Sequence, residues 1–262
     1  MFVAAIESDT HVGSQFGLAN PRCVGDPYRE FAETLFDWRV ATIQEIGRVD
    51  MVLHLGEVTD GPGHKSTIEQ WTCDMEEQAI HSAELLAMWN CKDFRLCYGT
   101  DFHTGDDSKT ERMVVDKLKL LHNRKADIKA TQRIEVNGIK INARHHVGGS
   151  STPNGKWGQL AKVATTDYLR GCHREYPGSD LYFRGHTHEF AVAGNDLYTA
   201  YNSPAMQWPL GAYGLRIDRV WYTMGLMKLT IQNDGEWTVK PYLLKAKLPE
   251  EAYAVVRKRN KS

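Results

Sequence analysis

No stretch of the 262 residues approaches the roughly 20 consecutive apolar side chains that cross a bilayer, so no membrane span is expected. The opening MFVAAIESD has neither a basic leader nor the long apolar segment of a secretion signal, and reads as a buried strand. An excess of one charge sign is also missing. With 32 basic and 33 acidic residues the net charge is -1, and no global field draws the chain onto nucleic acid or an anionic membrane. The five cysteines, at 23, 73, 91, 97 and 172, are odd in number, scattered and never paired two residues apart. That pattern excludes a disulfide framework and a thiolate zinc site, and fits a reducing cytoplasm. There is no internal repeat. The glycine-rich stretch 148–155 lacks the Lys-Ser or Lys-Thr ending of a phosphate-binding loop and reads as a flexible lip.

What is present suits one globular domain: 42% hydrophobic and 25% charged residues over a length that can bury a sizeable core. The domain is expected over 1–250, with 251–262 a basic, frayed tail. Apolar runs predict strands at 2–7, 50–55 and 94–98, with helices at 26–48 and 67–90 between them, the succession of an α/β domain. From about 130 the pattern turns to β. Asn137 and Gly138 mark a hairpin between 133–136 and 139–143. A helix near 157–170 precedes strands at 181–183, 190–193, 197–201, 214–219, 222–231 and 236–244.

Each early strand runs into polar residues. Asp9 and His11 stand two apart, so at the end of an extended strand they share a face and can reach one ion. Taken singly, such a triplet is more often a hydrogen-bonded turn beside a surface imidazole, and His186 with His188 can equally be two exposed rings. Recurrence changes the balance. Five strand ends carry ligand-type groups: Asp9 with His11, Glu57 with Asp60, Asp101 with His103, His145 with His146, and His186 with His188. About seven oxygen and nitrogen ligands exceed what one transition metal ion takes and suit two.

The order of these motifs resembles that of the calcineurin-like metallophosphoesterase superfamily, over most of the chain from Asp9 to His188. Asp-x-His matches SDTHVG at Asp9 and His11, and Gly-His-x-His matches GHTH at Gly185, His186 and His188. The middle motifs depart. Gly56, Glu57, Val58, Thr59, Asp60 stands where the family has Gly-Asp-x-x-Asp, and Gly99, Thr100, Asp101, Phe102, His103 where it has Gly-Asn-His followed by an acid. The resemblance implies a four-layer αββα sandwich of two mixed β-sheets flanked by helices. It implies two divalent transition metal ions (Mn, Fe or Zn), one held by Asp9, His11, Glu57 and His188, the other by Glu57, Asp101, His145 and His186. His103 would take the place of the catalytic imidazole, with Thr100, His146 and Arg184 beside the ligands or the substrate and Asp60 supporting a ligand. The implied reaction is hydrolysis of a phosphate ester by a hydroxide that the ion pair activates. A phosphodiester is preferred, since no arginine cluster marks a terminal phosphate site. Nucleic acid is possible as a substrate but not indicated by the charge; no membrane partner is expected. The altered middle motifs leave two rivals open: a non-catalytic metal-binding scaffold, and a mononuclear hydrolase using Asp9, His11 and His188.

Other residues are assigned blander roles. His54, between Leu53 and Leu55, is a core histidine bonded to backbone; His64 is a loop residue, and His81, His122 and His173 lie on helical surfaces. Trp71, Trp89, Trp157, Trp208 and Trp221 are core packing rather than stacking platforms.

Overall fold

The structure, a computed structural model, describes residues 1–62, 69–148, 153–173, 178–210 and 222–245. The expected strand at 214–219, the loop histidine His64, Trp221, most of the 148–155 lip before its helical end and the basic tail lie outside the described residues.

Two mixed sheets form the centre. The first is built from β1 (Phe2–Glu7), β2 (Met51–His54), β3 (Asp93–Cys97), β4 (Lys125–Lys129), β10 (Met224–Ile231) and β11 (Trp237–Leu244), in the order β11-β10-β1-β2-β3-β4. Strands β1 to β4 are parallel, and β10 lies antiparallel to β1. The second sheet contains β5 (Gln132–Val136), β6 (Ile139–Ala143), β7 (Leu181–Arg184), β8 (Ala191–Gly194) and β9 (Thr199–Asn202), ordered β5-β6-β7-β9-β8. The β5–β6 turn is the Asn137–Gly138 hairpin expected from sequence, both residues at positive φ (49° and 82°), as a two-residue turn requires.

Alternation along the strands sorts side chains into layers. Ala4, Ile6, Met51, Leu53 and Met227 of the first sheet pack against Ile141, Ala143, Leu181 and Phe183 of the second. The opposite face of the first sheet, with Ala5, Val52, Phe94 and Leu226, is covered by α1 (Arg29–Ile46), α2 (Met75–Ala87) and α4 (Lys109–His122). Across the second sheet, Tyr182 and Ala200 pack on Leu160 and Ala164 of α5 (Pro153–Cys172). The order helix, sheet, sheet, helix is the expected sandwich. No helix among the described residues is long and apolar enough to cross a membrane.

Several element boundaries differ from expectation; the first helix, for one, spans Arg29–Ile46 rather than 26–48. The second helix begins at Met75 because the Asp74 carboxylate caps it, accepting from the N–H groups of Glu76 and Glu77; residues 69–74 before it are irregular. Residues 101–129, where the sequence places only a helical surface at His122, hold α3 (Asp101–Thr104), α4 and β4. The α2–α4 packing closes the layer over β2 and β3 and anchors the loops that follow them.

Candidate metal centre

The C-terminal ends of β1, β2, β3, β6 and β7 meet at one edge of the sandwich, and the ligand-type residues occupy the turns just beyond them. Asp9 (φ 53°), His11 (44°), Glu57 (55°), His186 (75°) and His188 (54°) all adopt the left-handed conformation. That region is costly for most L-residues and is reached most readily by Asn, Asp and His. Such turns fold the side chains back over the sheet edge. Gly185 is required by close approach: a Cβ there would lie 2.3 Å from Ser8 Oγ and 3.0 Å from Asp9 Oδ2. At Gly99 it would lie 2.7 Å from the Glu57 nitrogen.

Three groups of side chains result: two share Glu57, and the third, His11 with Asp60 and His103, adjoins the first. Asp9, His11, Glu57 and His188, all buried, bring one ligand atom each within 4.8 Å of one another, and so do Glu57, His145 and His186. Glu57 belongs to both: Oε2 is 3.2 Å from His11 Nε2, and Oε1 is 3.3 Å from His145 Nε2. His188 Nε2 lies 3.0 Å from Asp9 Oδ1, and the His186 N–H donates to Asp9 Oδ2 at 3.2 Å. The ring orientations are set from behind. His145 Nδ1 donates to the Leu55 carbonyl at 3.0 Å, which turns Nε2 toward Glu57. His11 Nδ1 is 3.1 Å from Asp60 Oδ1, and Gln70 holds the other Asp60 oxygen at 2.7 Å.

Asp9 Oδ1, His11 Nε2 and His145 Nε2 face imidazole or carboxylate groups of the same cluster, and the buried His186 Nδ1 has no hydrogen-bond partner. Carboxylate oxygens and imidazole nitrogens that converge in this way, with one imidazole nitrogen unpaired, form a donor set that fits a divalent cation. The mixture of carboxylate oxygen and imidazole nitrogen suits Mn, Fe or Zn. The charge states agree. Burial would raise the Asp9 carboxyl, but His188 and His145 hold it below the usual range; Glu57 is likewise held low against burial, by His145 and His11. Burial would depress His11, yet its bonds to Asp60 and Glu57 push it up to about 10, and Glu57 and Asp9 push His145 up to about 9. Without a cation these imidazolium groups balance the carboxylates; a cation that takes their place must displace the protons.

The remaining site expectations divide. Asp60 touches His11, and Thr100 donates its hydroxyl to Glu57 Oε1 at 2.5 Å. The His103 ring stands edge-on to His11 with centroids 4.5 Å apart and donates from Nδ1 to the Asp60 carbonyl at 3.0 Å; burial lowers its pKa. His145 faces inward, while His146 is exposed with its ring 5.0 Å from His186. Asp101 is not brought to the site. The chain enters α3 directly after Thr100, and Asp101 is left exposed on its first turn, outside both ligand groups. Arg184 is also elsewhere: it is fully buried, facing α5, where it donates to Asp167 at 3.0 Å and to the carbonyls of Asn142 and Phe183. Strand alternation puts it on the opposite side of the sheet from the site. Trp157, expected in the core, is exposed.

One residue at this edge carries no sequence signal. Glu111, on the first turn of α4, is fully buried and accepts from the Val58 N–H at 3.2 Å and the Gly99 N–H at 2.8 Å; burial raises its carboxyl to about 7. Its segment, KTERMVVDK, is rich in charge, so the sequence alone places it in solvent.

No family model matches the sequence, and no curated protein matches it. Among solved structures the chain is similar to an archaeal phosphodiesterase, at 13% identity over 92% of this chain and 100% of that one, with a TM-score of 0.47. It is also similar to a Vps29 from Entamoeba histolytica complexed with Zn, at 14% identity over 92% and 99%, TM-score 0.45. A third is a predicted phosphoesterase from Streptococcus pneumoniae, at 13% identity over 93% and 98%, TM-score 0.37. At TM-scores this low the likeness says nothing about chemistry, which rests on the geometry of the site.

Proposed function

We propose that the protein is a metal-dependent phosphoesterase that hydrolyses a phosphodiester at the edge where Asp9, His11, Glu57, His145, His186 and His188 converge. The observation that carries this reading is the convergence of Asp9, His11, Glu57, His145, His186 and His188 into two ligand groups that share an ionised Glu57. Asp9, His11, Glu57 and His188 would hold one ion, and Glu57, His145 and His186 a second. When bound, such cations neutralise phosphoryl oxygens and lower the pKa of a water, which supplies a nucleophile at neutral pH. The residues of the chain do the rest. Asp60 and the Leu55 carbonyl hold His11 and His145 in the tautomers that face Glu57. His103, with Nδ1–H donating to the Asp60 carbonyl, leaves Nε2 as an acceptor, the nitrogen that would take up a proton from water and then pass it to the leaving alkoxide. Arg184, buried against Asp167, is withdrawn as a clamp for a terminal phosphate dianion, which favours a diester over a monoester.

The test is turnover after loading with Mn, comparing bis-nitrophenyl phosphate, nitrophenyl phosphate and single-stranded DNA. Metal-dependent cleavage of the diester, lost in His186→Ala, is the expected result; no cleavage of any substrate would sink the proposal. A second reading, a non-catalytic metal-binding scaffold, is favoured by the exposed Asp101, which leaves the His145 and His186 group with one ligand fewer than the motifs implied. Zero or one tightly bound ion with no turnover would support it.

A further inference from the structure

Glu57 is one methylene longer than the aspartate of the motif it resembles, so where its carboxylate stands depends on the backbone that carries it. Two loops approach it. The β2 loop carries Glu57 and continues through Val58; the β3 loop carries Gly99, pressed against the Glu57 nitrogen, and Thr100, whose hydroxyl donates to Glu57 Oε1. Both loops hang on one group: the two Glu111 carboxylate oxygens separately accept the Val58 and Gly99 N–H groups. The helix that supplies Glu111 is fixed in turn by Val114, Val115 and Leu118 in the core. We propose that Glu111 is the positioning residue for the metal centre, holding the β2 and β3 loops at the spacing that puts the Glu57 carboxylate between the two ligand groups. It touches no ligand side chain itself. The two N–H groups reach different oxygens, and a carboxylate offers an acceptor on each arm where an amide offers an oxygen on one and an NH2 donor on the other. The inference rests on the metal-site reading above.

The test is a cobalt(II) titration of the metal-free full chain, followed by visible absorption, for the wild type, Glu111→Gln, Glu111→Asp and Leu118→Ala. Leu118→Ala loosens the same helix without removing an acceptor. Wild type is expected to take up two ions. Glu111→Gln should weaken uptake at least tenfold and change the absorption bands, Glu111→Asp should fall between it and wild type, and Leu118→Ala should lower the melting temperature while keeping affinity and bands. Wild-type affinity and bands in Glu111→Gln would overturn the proposal, as would an equal loss in Leu118→Ala. If Glu111→Gln fails to fold, Glu111→Asp decides by the same criterion. A wild-type chain that takes up no cobalt would overturn the metal-site reading itself, and the role of Glu111 with it.

Discussion

His54 has both ring nitrogens engaged: Nδ1 accepts the Gly56 N–H at 3.2 Å, and Nε2 faces the Thr10 hydroxyl at 3.2 Å. Burial pulls its pKa from 6.5 down to about 4. Between those values the unfolded chain binds a proton that the folded chain refuses, so stability is complete above pH 6.5 and falls as the pH drops toward 4. The full effect is about 3 kcal/mol. Denaturant titrations of wild type and His54→Gln should therefore show a flatter acid limb in the variant; parallel limbs would refute the assignment. Gly185→Ala makes a different residue-scale prediction. Its Cβ would collide with Ser8 Oγ and crowd Asp9, costing about 1–3 kcal/mol of stability and, unlike an ordinary overpacking change, abolishing metal uptake. Melting curves and metal content check the two halves.

At this scale the sequence was informative where ligand type and turn coincide, as at Asp9, His11, His186 and His188. It misled at Asp101. Read as an extended strand end, two residues apart share a face; the segment is helical, where the same spacing separates them by about 200°. His103 then turns toward His11 and Asp101 toward solvent.

Among the elements, the tie between β1 and α1 is a buried ion pair. Arg39 donates to both Glu7 oxygens, at 2.8 and 3.2 Å, and the Trp89 indole N–H donates to the first at 3.1 Å. Glu7 is the last residue of the strand that delivers Asp9. Arg39→Met should leave that carboxylate uncompensated and cost about 3–5 kcal/mol, whereas the double change with Glu7→Gln should recover much of the loss. Thermal or urea unfolding of the three proteins measures this, and an additive double variant would argue against a coupled pair. Element type was legible where apolar periodicity ran without interruption, in β1, β2, α1 and the Asn137–Gly138 hairpin. The β4 segment was not legible, and of α4 only a helical surface at His122 was. In Lys109–His122 only a narrow strip, Val114, Val115 and Leu118 with Thr110 and Glu111, is buried among many charges, and β4, read KADIK, has a single buried residue. Glu111 was hidden for the same reason.

At the scale of the whole molecule, candidate ligands come from both sheets: Asp9, His11 and Glu57 follow strands of the first, and His145, His186 and His188 follow strands of the second. A cation bound between them ties the two layers together and stabilises only the folded state. At a free concentration of a hundred times its Kd it adds about 2.7 kcal/mol. Melting with Mn and then with a chelator should show that difference, and His186→Ala should abolish it; a chelator-insensitive wild type would contradict the centre. The regular succession of strand, turn and helix made an α/β domain readable in advance, and the motif resemblance implied its layer order. The pairing of β10 with β1 was not, since nothing local in either strand names a partner more than two hundred residues away.

That pairing bears on any attempt to isolate the chemistry. Every motif ends by His188, which invites a shortened version stopping soon after it. Yet β10, at Met224–Ile231, flanks the very strand that presents Asp9, and its loss would strip Phe2 through Ile6 of a neighbour and bare a greasy, sticky border. The catalytic inventory would be complete on paper and insoluble in the tube.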